Sequence, residues 1–293
     1  MRWTKAVVAS ALAALVPGTA PVHAQWRFTE IQQLVAPDAA SEMRFGSAVG
    51  LDGDVAVLGA WGDDERGSDA GSAYVYRWHG PSLKWVFEQE LWPSDGNPWD
   101  YFGSAVAVSG AAILVGAPRH DGATGEDSGA AYLFRYDPVA QVWVEAQELT
   151  ASDGQPGDRF GEAIAFNGDV AVISATGHDA AGSWSGAAYV FRKAGVALVQ
   201  EQKLVASDGR SGDSFGSSVS RFGNVILVGA PHSGDPYPYC GAAYVFRFDG
   251  TRWVEEQKLR PSKSRTDAYF GSSVVVSGDV ALVGARRDDV QGD

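Results

Sequence analysis

The chain has 293 residues, with 23 Lys and Arg against 36 Asp and Glu for a formal charge of −13, 36 Gly, 10 Trp and a single Cys. At 45% hydrophobic and 20% charged it has the composition of a globular protein, not of a disordered or collagen-like chain. The acidic balance argues against nucleic-acid binding by phosphate neutralisation and against docking on anionic lipid, and Cys240 alone cannot form an internal disulfide.

Residues 1–24 read as a secretory signal peptide. Arg2 and Lys5 form a charged start, an eleven-residue apolar stretch follows from Ala6 to Val16, and Val22-His23-Ala24 is a small-residue cleavage pattern. Eleven residues at 1.5 Å rise are too short for a ~30 Å hydrocarbon core, and no later run is long enough, so membrane insertion is not expected. Cleavage would leave 21 basic against 36 acidic residues, a charge of −15, on a product that is secreted, periplasmic or held at the cell surface.

From residue 25 onward the chain repeats itself. Phe-Gly recurs at Phe45-Gly46, Phe102-Gly103, Phe160-Gly161, Phe215-Gly216 and Phe270-Gly271, at steps of 57, 58, 55 and 55. Eleven residues before each Phe stands a Leu (Leu34, Leu91, Leu149, Leu204, Leu259). Fourteen after it comes Gly-Ala or Ser-Ala (Gly59, Gly116, Ser174, Gly229, Gly284). Approximate repeats run over 26–84, 85–142, 143–198, 199–252 and 253–293, the last truncated, so 25–293 is one array.

Each copy contains four strand-like pieces. In the fourth copy strand b covers 217–220, the consecutively apolar strand c 225–228 and strand d 243–247, and the fifth opens with strand a, alternating charged and apolar, at 253–259. Two residues ending in Gly link b to c (Asp52-Gly53, Asn167-Gly168 and their equivalents), which predicts type I′ hairpins. Four antiparallel strands per ~55 residues, rich in Gly and aromatics, predict an all-β fold, a β-propeller with Phe-Gly packing between blades.

Phe-Gly followed by Gly-Ala-Pro, intact at Phe102-Gly103 with Gly116-Ala117-Pro118 and at Phe215-Gly216 with Gly229-Ala230-Pro231, resembles the FG-GAP repeat of the integrin α-subunit propeller. The wording around it (Glu201-Gln202-Lys203-Leu204, Ser207-Asp208-Gly209, Ala243-Tyr244-Val245-Phe246-Arg247) is closer to FG-GAP repeats of secreted bacterial proteins. The resemblance implies a propeller, usually seven-bladed, used in adhesion or ligand binding. Integrin repeats carry a calcium loop between the two motifs; here two-residue turns stand there, so those calcium sites do not transfer.

Chain reversal at every strand puts the long c–d and a–b loops on one face, and that face is acidic. Its c–d loops carry Asp63, Asp64, Asp121, Asp179, Asp235 and Asp289; its a–b loops carry Asp38, Asp95, Asp100, Asp153, Asp158, Asp208 and Asp213. Most of these read as turn residues bonding their own backbone. Asp64, Asp121, Asp179 and Asp289, each five residues after its repeat's Gly or Ser, are candidate cation ligands and leave calcium open as a cofactor. His120-Asp121 and His178-Asp179 read as exposed loop polarity, since no nucleophile accompanies them. Cys240 stands where other copies have Ser128 or Ser185. Trp61, Trp99, Trp184, Tyr237 and Tyr239 fall in the long loops and are candidates for sugar stacking or protein contact.

The resulting expectation is an exported, non-enzymatic propeller for adhesion or recognition of a protein or glycan through its long-loop face, with no nucleic-acid partner. Two alternatives stand beside it: a carbohydrate hydrolase or lyase using carboxylates on the same face, or a fragment of a larger surface protein. The fifth copy stops before its strand d, which predicts self-association through an incomplete last blade.

Overall fold

A computed structural model describes residues 6–8, 30–234, 237–262 and 265–287. The expected signal peptide lies outside the described residues, except for β1 (Ala6–Val8), which pairs antiparallel with β2 (Gln32–Leu34). Four four-stranded antiparallel sheets then follow in chain order, each pairing strands b, c, d and a in sequence. The first blade is β3 (Ala48–Asp52), β4 (Val55–Ala60), β5 (Ser72–His79) and β6 (Lys84–Leu91). The second is β7 (Ala105–Ser109), β8 (Ala112–Ala117), β9 (Ala130–Asp137) and β10 (Val142–Leu149). The third is β11 (Phe160–Asn167), β12 (Val170–Ala175), β13 (Ala187–Ala194) and β14 (Ala197–Leu204). The fourth is β15 (Ser218–Phe222), β16 (Val225–Ala230), β17 (Ala242–Phe248) and β18 (Trp253–Leu259); β19 (Phe270–Ser277) and β20 (Val280–Ala285) form a two-stranded fifth unit. The architecture is all-β, a propeller-type array; no helix among the described residues is long and apolar enough to cross a membrane.

Local chemistry accounts for the strands. All six residues of β4, β8 and β12 are buried, as expected of a strand c covered on both faces. Strand a alternates between buried and exposed, so β10 buries Trp143 and Leu149 while Val142 and Val144 face out. The b–c hairpins depart from the expected turn. Asp52 pairs with Val55, so the two loop residues are Gly53-Asp54, one position later than the sequence suggested. Only the first has positive φ (Gly53 +57°, likewise Gly110, Gly168, Gly223 and Gly278), the pattern of a type II′ turn, which asks for Gly first and lets an ordinary residue follow.

The Phe-Gly repeat is an inter-blade clasp. Phe102, Phe160 and Phe215 are fully buried, and each donates its backbone N–H to the preceding blade: Phe102 to Ala70 O (3.0 Å), Phe160 to Ser128 O (2.9 Å), Phe215 to Ser185 O (2.9 Å). The Phe102 ring meets Tyr132 and Phe134 edge-on at 5.7 and 6.1 Å and closes the apolar layer of Val57, Val75 and Leu91 from the blade before. Backbones approach so closely here that a Cβ on Gly129 would lie 2.2 Å from Phe160 O and 2.4 Å from Phe160 N. At the outer edge a glutamine repeats the stitch. Gln89 takes the N–H of Trp143 (2.7 Å) and donates to its carbonyl (2.8 Å), and Gln32, Gln147 and Gln202 do the same to Trp85, Leu198 and Trp253.

Blades pack on one another in chain order. Val106 and Val108 of β7 are 8% and 7% exposed because they dock on the first blade, whereas their counterparts Val49 and Leu51 on β3 are 67% and 59% exposed. At the other end Val280 and Leu282 of β20 are exposed, at 61% and 65%.

Gly129→Ala should destabilise the chain by roughly 2–5 kcal/mol, combining ~1–2 kcal/mol for a side chain at φ +80° with ~1–3 kcal/mol of overpacking. Gly80→Ala, whose Cβ would meet nothing within 4 Å, should be near neutral in the same urea titration. Equal midpoints for the two variants would contradict the clasp.

Candidate functional site

The c–d loops lean on the a–b loop of the next blade through paired backbone bonds. Tyr101 N–H donates to Asp69 O (3.2 Å), Arg159 to Asp127 O (3.1 Å), Ser214 to Trp184 O (3.1 Å) and Tyr269 to Tyr239 O (3.0 Å). All eight of these residues have φ between +48° and +58°, a left-handed conformation costly for side-chain-bearing residues and held here by the clasp around them.

Within these loops Asp64, Asp121 and Asp179 are exposed, each closing its own loop by accepting a backbone N–H: Asp69 (2.7 Å), Asp127 (2.9 Å) and Trp184 (2.8 Å). They stand on separate blades and are not brought together; Asp289 and Asp235 lie outside the described residues. Asp100, Asp158 and Asp213 are buried turn closers, accepting from Asn97, Gln155 and Arg210 at 2.9–3.0 Å. Of the aromatics, Trp99, Trp184, Tyr237 and Tyr239 are 43–54% exposed. Trp61 is half-buried against Tyr101 at 5.0 Å, beneath the Arg44 guanidinium. Arg159 lies 4.6 Å over Trp184, and Tyr239 stacks on Tyr269 at 6.0 Å. Cys240 is fully buried, in the slot that Ser128 and Ser185 fill in other blades.

The structure assembles a different group, once in every blade. The buried Tyr of strand d points its hydroxyl at an Asp of the a–b loop 36 or 37 residues earlier: Tyr74 to Asp38 (3.0 Å), Tyr132 to Asp95 (2.9 Å), Tyr189 to Asp153 (2.8 Å), Tyr244 to Asp208 (2.8 Å). Beside this pair stand the residue three after the Gly-Ala alanine (Asp63, His120, His178, Ser233) and the residue before the strand a leucine (Glu90, Glu148, Lys203, Lys258). The carboxylates therefore gather blade by blade beside strands d and a. Burial and the Asp partner drive the tyrosine hydroxyls well above their ordinary pKa.

Each blade balances the charge differently. In the third, Lys203 Nζ sits 2.8 Å from Asp153 Oδ2 and 2.6 Å from His178 Nε2; burial works against ionisation of Asp153, but Lys203 and Tyr189 hold it down at about 2. In the fourth, Lys258 Nζ lies 2.7 Å from Asp208, whose pKa burial would raise but Lys258 lowers. In the first, Glu90 replaces the lysine. Its ligand atoms and those of Asp38 and Asp63 lie within 4.8 Å of one another, and burial reinforced by Asp38, Asp63 and Glu65 pushes Glu90 up to about 7. In the second, His120 faces Asp95 and Glu148; burial and Asp95 raise Glu148, and the hydrogen bond to Asp100 raises His120 against the opposing effect of burial.

This corrects the reading of His120 and His178 as exposed loop polarity: they are 5% and 7% exposed. The reason is the turn after strand c. His120 N–H donates to Ala117 O and His120 O accepts from Gly129, which folds the imidazole under the loop while the adjacent Asp121 points out. Sequence reasoning passed over Glu90, Glu148, Lys203 and Lys258 as ordinary strand a charges, although their fixed position before the repeat leucine was visible.

The FG-GAP repeat model matches residues 28–76, 85–134, 143–191, 198–246 and 253–293, more than half of the chain. The chain belongs to the FG-GAP repeat family. Its family repeat starts at strand a, so the matches at 85–134, 143–191 and 198–246 run a-b-c-d while the blades are built b-c-d-a, and each of these three repeats joins two blades. No curated protein sequence matches this FG-GAP chain. Among solved structures it is similar to a functionally unknown protein from Desulfotomaculum acetoxidans, with a TM-score of 0.51 at 12% identity over 81% of this chain and 62% of the other. It also aligns with YjhT, with a TM-score of 0.45 at 13% identity over 82% of this chain and 72% of that one. The first likeness is one of fold, and the chain spans 62% of that neighbour's length.

Glu90 sets a pH dependence. Its folded pKa of about 7 lies above the ordinary glutamate value of 4.5, so the stability it confers is full below about 4.5 and is lost as pH rises through about 7. The melting temperature of Glu90→Gln minus that of the wild type should therefore grow between about pH 5 and about pH 8 in thermal scans. A constant difference would show that the neighbouring carboxylates do not act on Glu90.

Proposed function

We propose that this FG-GAP chain is an exported, non-enzymatic recognition module that binds a protein or glycan through the face carrying its long loops. The observation behind this reading is the set of exposed aromatics fixed there in strained backbone. Trp99, Trp184 and Tyr239 have φ of 73°, 58° and 52°, and each lies at the inter-blade clasp, where Trp99 N–H is bound to Ser68 O at 2.8 Å. Large side chains in left-handed backbone are disfavoured, and these rings still leave about half of their surface open to solvent, so their placement suits a surface built for contact. An aromatic plane beside acidic loops matches a sugar ring flanked by hydroxyls, or a protein patch carrying Arg and Lys. Export rests on Arg2, Lys5, the apolar stretch after them and Val22-His23-Ala24.

One observation favours a second reading, a carbohydrate hydrolase or lyase: Glu90, raised to about 7, stands close to the carboxyls of Asp38 and Asp63, so a group able to give up a proton near neutral pH sits beside two further acidic side chains.

The folded chain should retain specific ligands from a combined glycan and protein array, and the Trp99→Ala, Trp184→Ala pair should weaken them by at least about tenfold. Retention unchanged in that variant would remove the aromatic face as the binding surface. Cleavage of an arrayed glycan, abolished by Glu90→Gln, would transfer the assignment to the enzyme.

A further inference from the structure

The second blade alone among the four sets a histidine opposite a glutamate at the lysine position, and that combination points to a ligand. In blades three and four a lysine supplies the positive charge beside the Tyr-Asp pair, and in blade three its Nζ is held jointly by Asp153 Oδ2 and His178 Nε2. Blade two keeps the same Asp and His, as Asp95 and His120, but puts Glu148 where the lysine would be. A cation position seen occupied one blade away is therefore lined by a second carboxylate.

The histidine is arranged accordingly. Its side chain is 6% exposed, and Nδ1 lies 3.0 Å from Asp100 Oδ2, which itself is 3% exposed. A carboxylate only accepts, so Nδ1 carries the proton that is donated to Asp100, and Nε2 is turned towards the two other carboxylates. Nε2 has no hydrogen-bond partner among the described residues; its neighbours are Asp95 Oδ2 at 3.9 Å and Glu148 Oε1 at 3.8 Å. Two carboxylate oxygens facing the ring nitrogen at that range form a pocket of negative potential that a cation would fill. Donors bound to a tetrahedral zinc at ~2.0–2.2 Å sit roughly 3.3–3.5 Å from one another, so the three atoms, all within 4.8 Å of one another, must draw together to form the site, Nε2 by about half an ångström towards each carboxylate.

We propose that His120 Nε2, Asp95 Oδ2 and Glu148 Oε1 bind a divalent cation of the zinc class. Asp100 is the carboxylate that orients the metal-binding histidine, and the Tyr132 hydroxyl, donating to Asp95 Oδ1 at 2.9 Å, leaves Oδ2 for the ion. Two carboxylates and a neutral imidazole cancel the ion's charge, the donor set suits zinc better than calcium, and a fourth position stays open to water. Asp95 and Glu148 are 47% and 39% exposed, which gives the ion a path in from solvent. The site is separate from Asp64, Asp121 and Asp179, whose carboxylates close their own loops, and it neither needs nor excludes the recognition role.

The test is calorimetric titration of the chelator-treated full chain with zinc chloride alone near neutral pH, repeated with variants that copy the neighbouring blades. Glu148→Lys installs the residue of blades three and four, and His120→Ser that of blade four, so each has a precedent in this fold. Wild type should show a saturable site. Both variants should lose it by more than about 100-fold while melting cooperatively, and Asp100→Asn should weaken it by about 10–100-fold. Zinc should also raise the melting temperature of wild type and leave that of Glu148→Lys unchanged. Absence of saturable binding in wild type, which would mean that a proton on His120 serves as the cation, overturns the proposal. So does binding that survives both Glu148→Lys and His120→Ser.

Discussion

The fold depends on how closely one blade's backbone approaches the next. At every junction the carbonyl and N–H of a Phe are clasped by the residues opening strand d of the preceding blade, at distances that leave no room for a Cβ on Gly71, Gly129, Gly186 or Gly241. This contact makes the glycines obligatory, sinks the phenylalanine rings out of water, and sets the spacing at which the outer glutamines span strand a to strand a. A four-stranded sheet on its own would leave two apolar faces exposed. Stacking covers the faces between blades, and the open valines of β3 and β20 show what a face looks like where no neighbour covers it.

The same clasp shapes the long-loop face. It forces residues with side chains into left-handed backbone at matched positions on facing loops, and some of those residues are the aromatics that stand open to solvent. Beneath them lies a second layer, in which one buried tyrosine per blade holds one aspartate. The tyrosine and aspartate do not change from blade to blade, but the groups around them do: carboxylates in the first, a histidine and a glutamate in the second, lysine in the third and fourth. A constant scaffold with variable charge is how a repeat protein gives separate blades separate chemistry without altering its fold.

Much of this was legible in the sequence. A register held over five copies made the strands and their order readable, because each strand's burial pattern follows from side-chain alternation and from local turn residues. The b–c turn was legible as a hairpin but not in its type, because Asp52-Gly53 and Gly53-Asp54 are both plausible two-residue loops, and only pairing of Asp52 with Val55 decides between them. His120 was misjudged because a loop position says nothing about which way a side chain turns once the loop folds back on itself.

What the sequence determined by itself was therefore whatever repeats: the family, the all-β architecture, the Phe-Gly and Gly-Ala elements as structural, and the acidic character of one set of loops. What only the tertiary structure decided was which charges meet. Asp95, His120 and Glu148 are separated by 25 and 28 residues in the chain, and each is unremarkable in its own segment. They converge because the turn after strand c, the a–b loop and the end of strand a come together at one corner of the blade, and side-chain chemistry acts through distances of a few ångströms in space, whatever the separation along the chain.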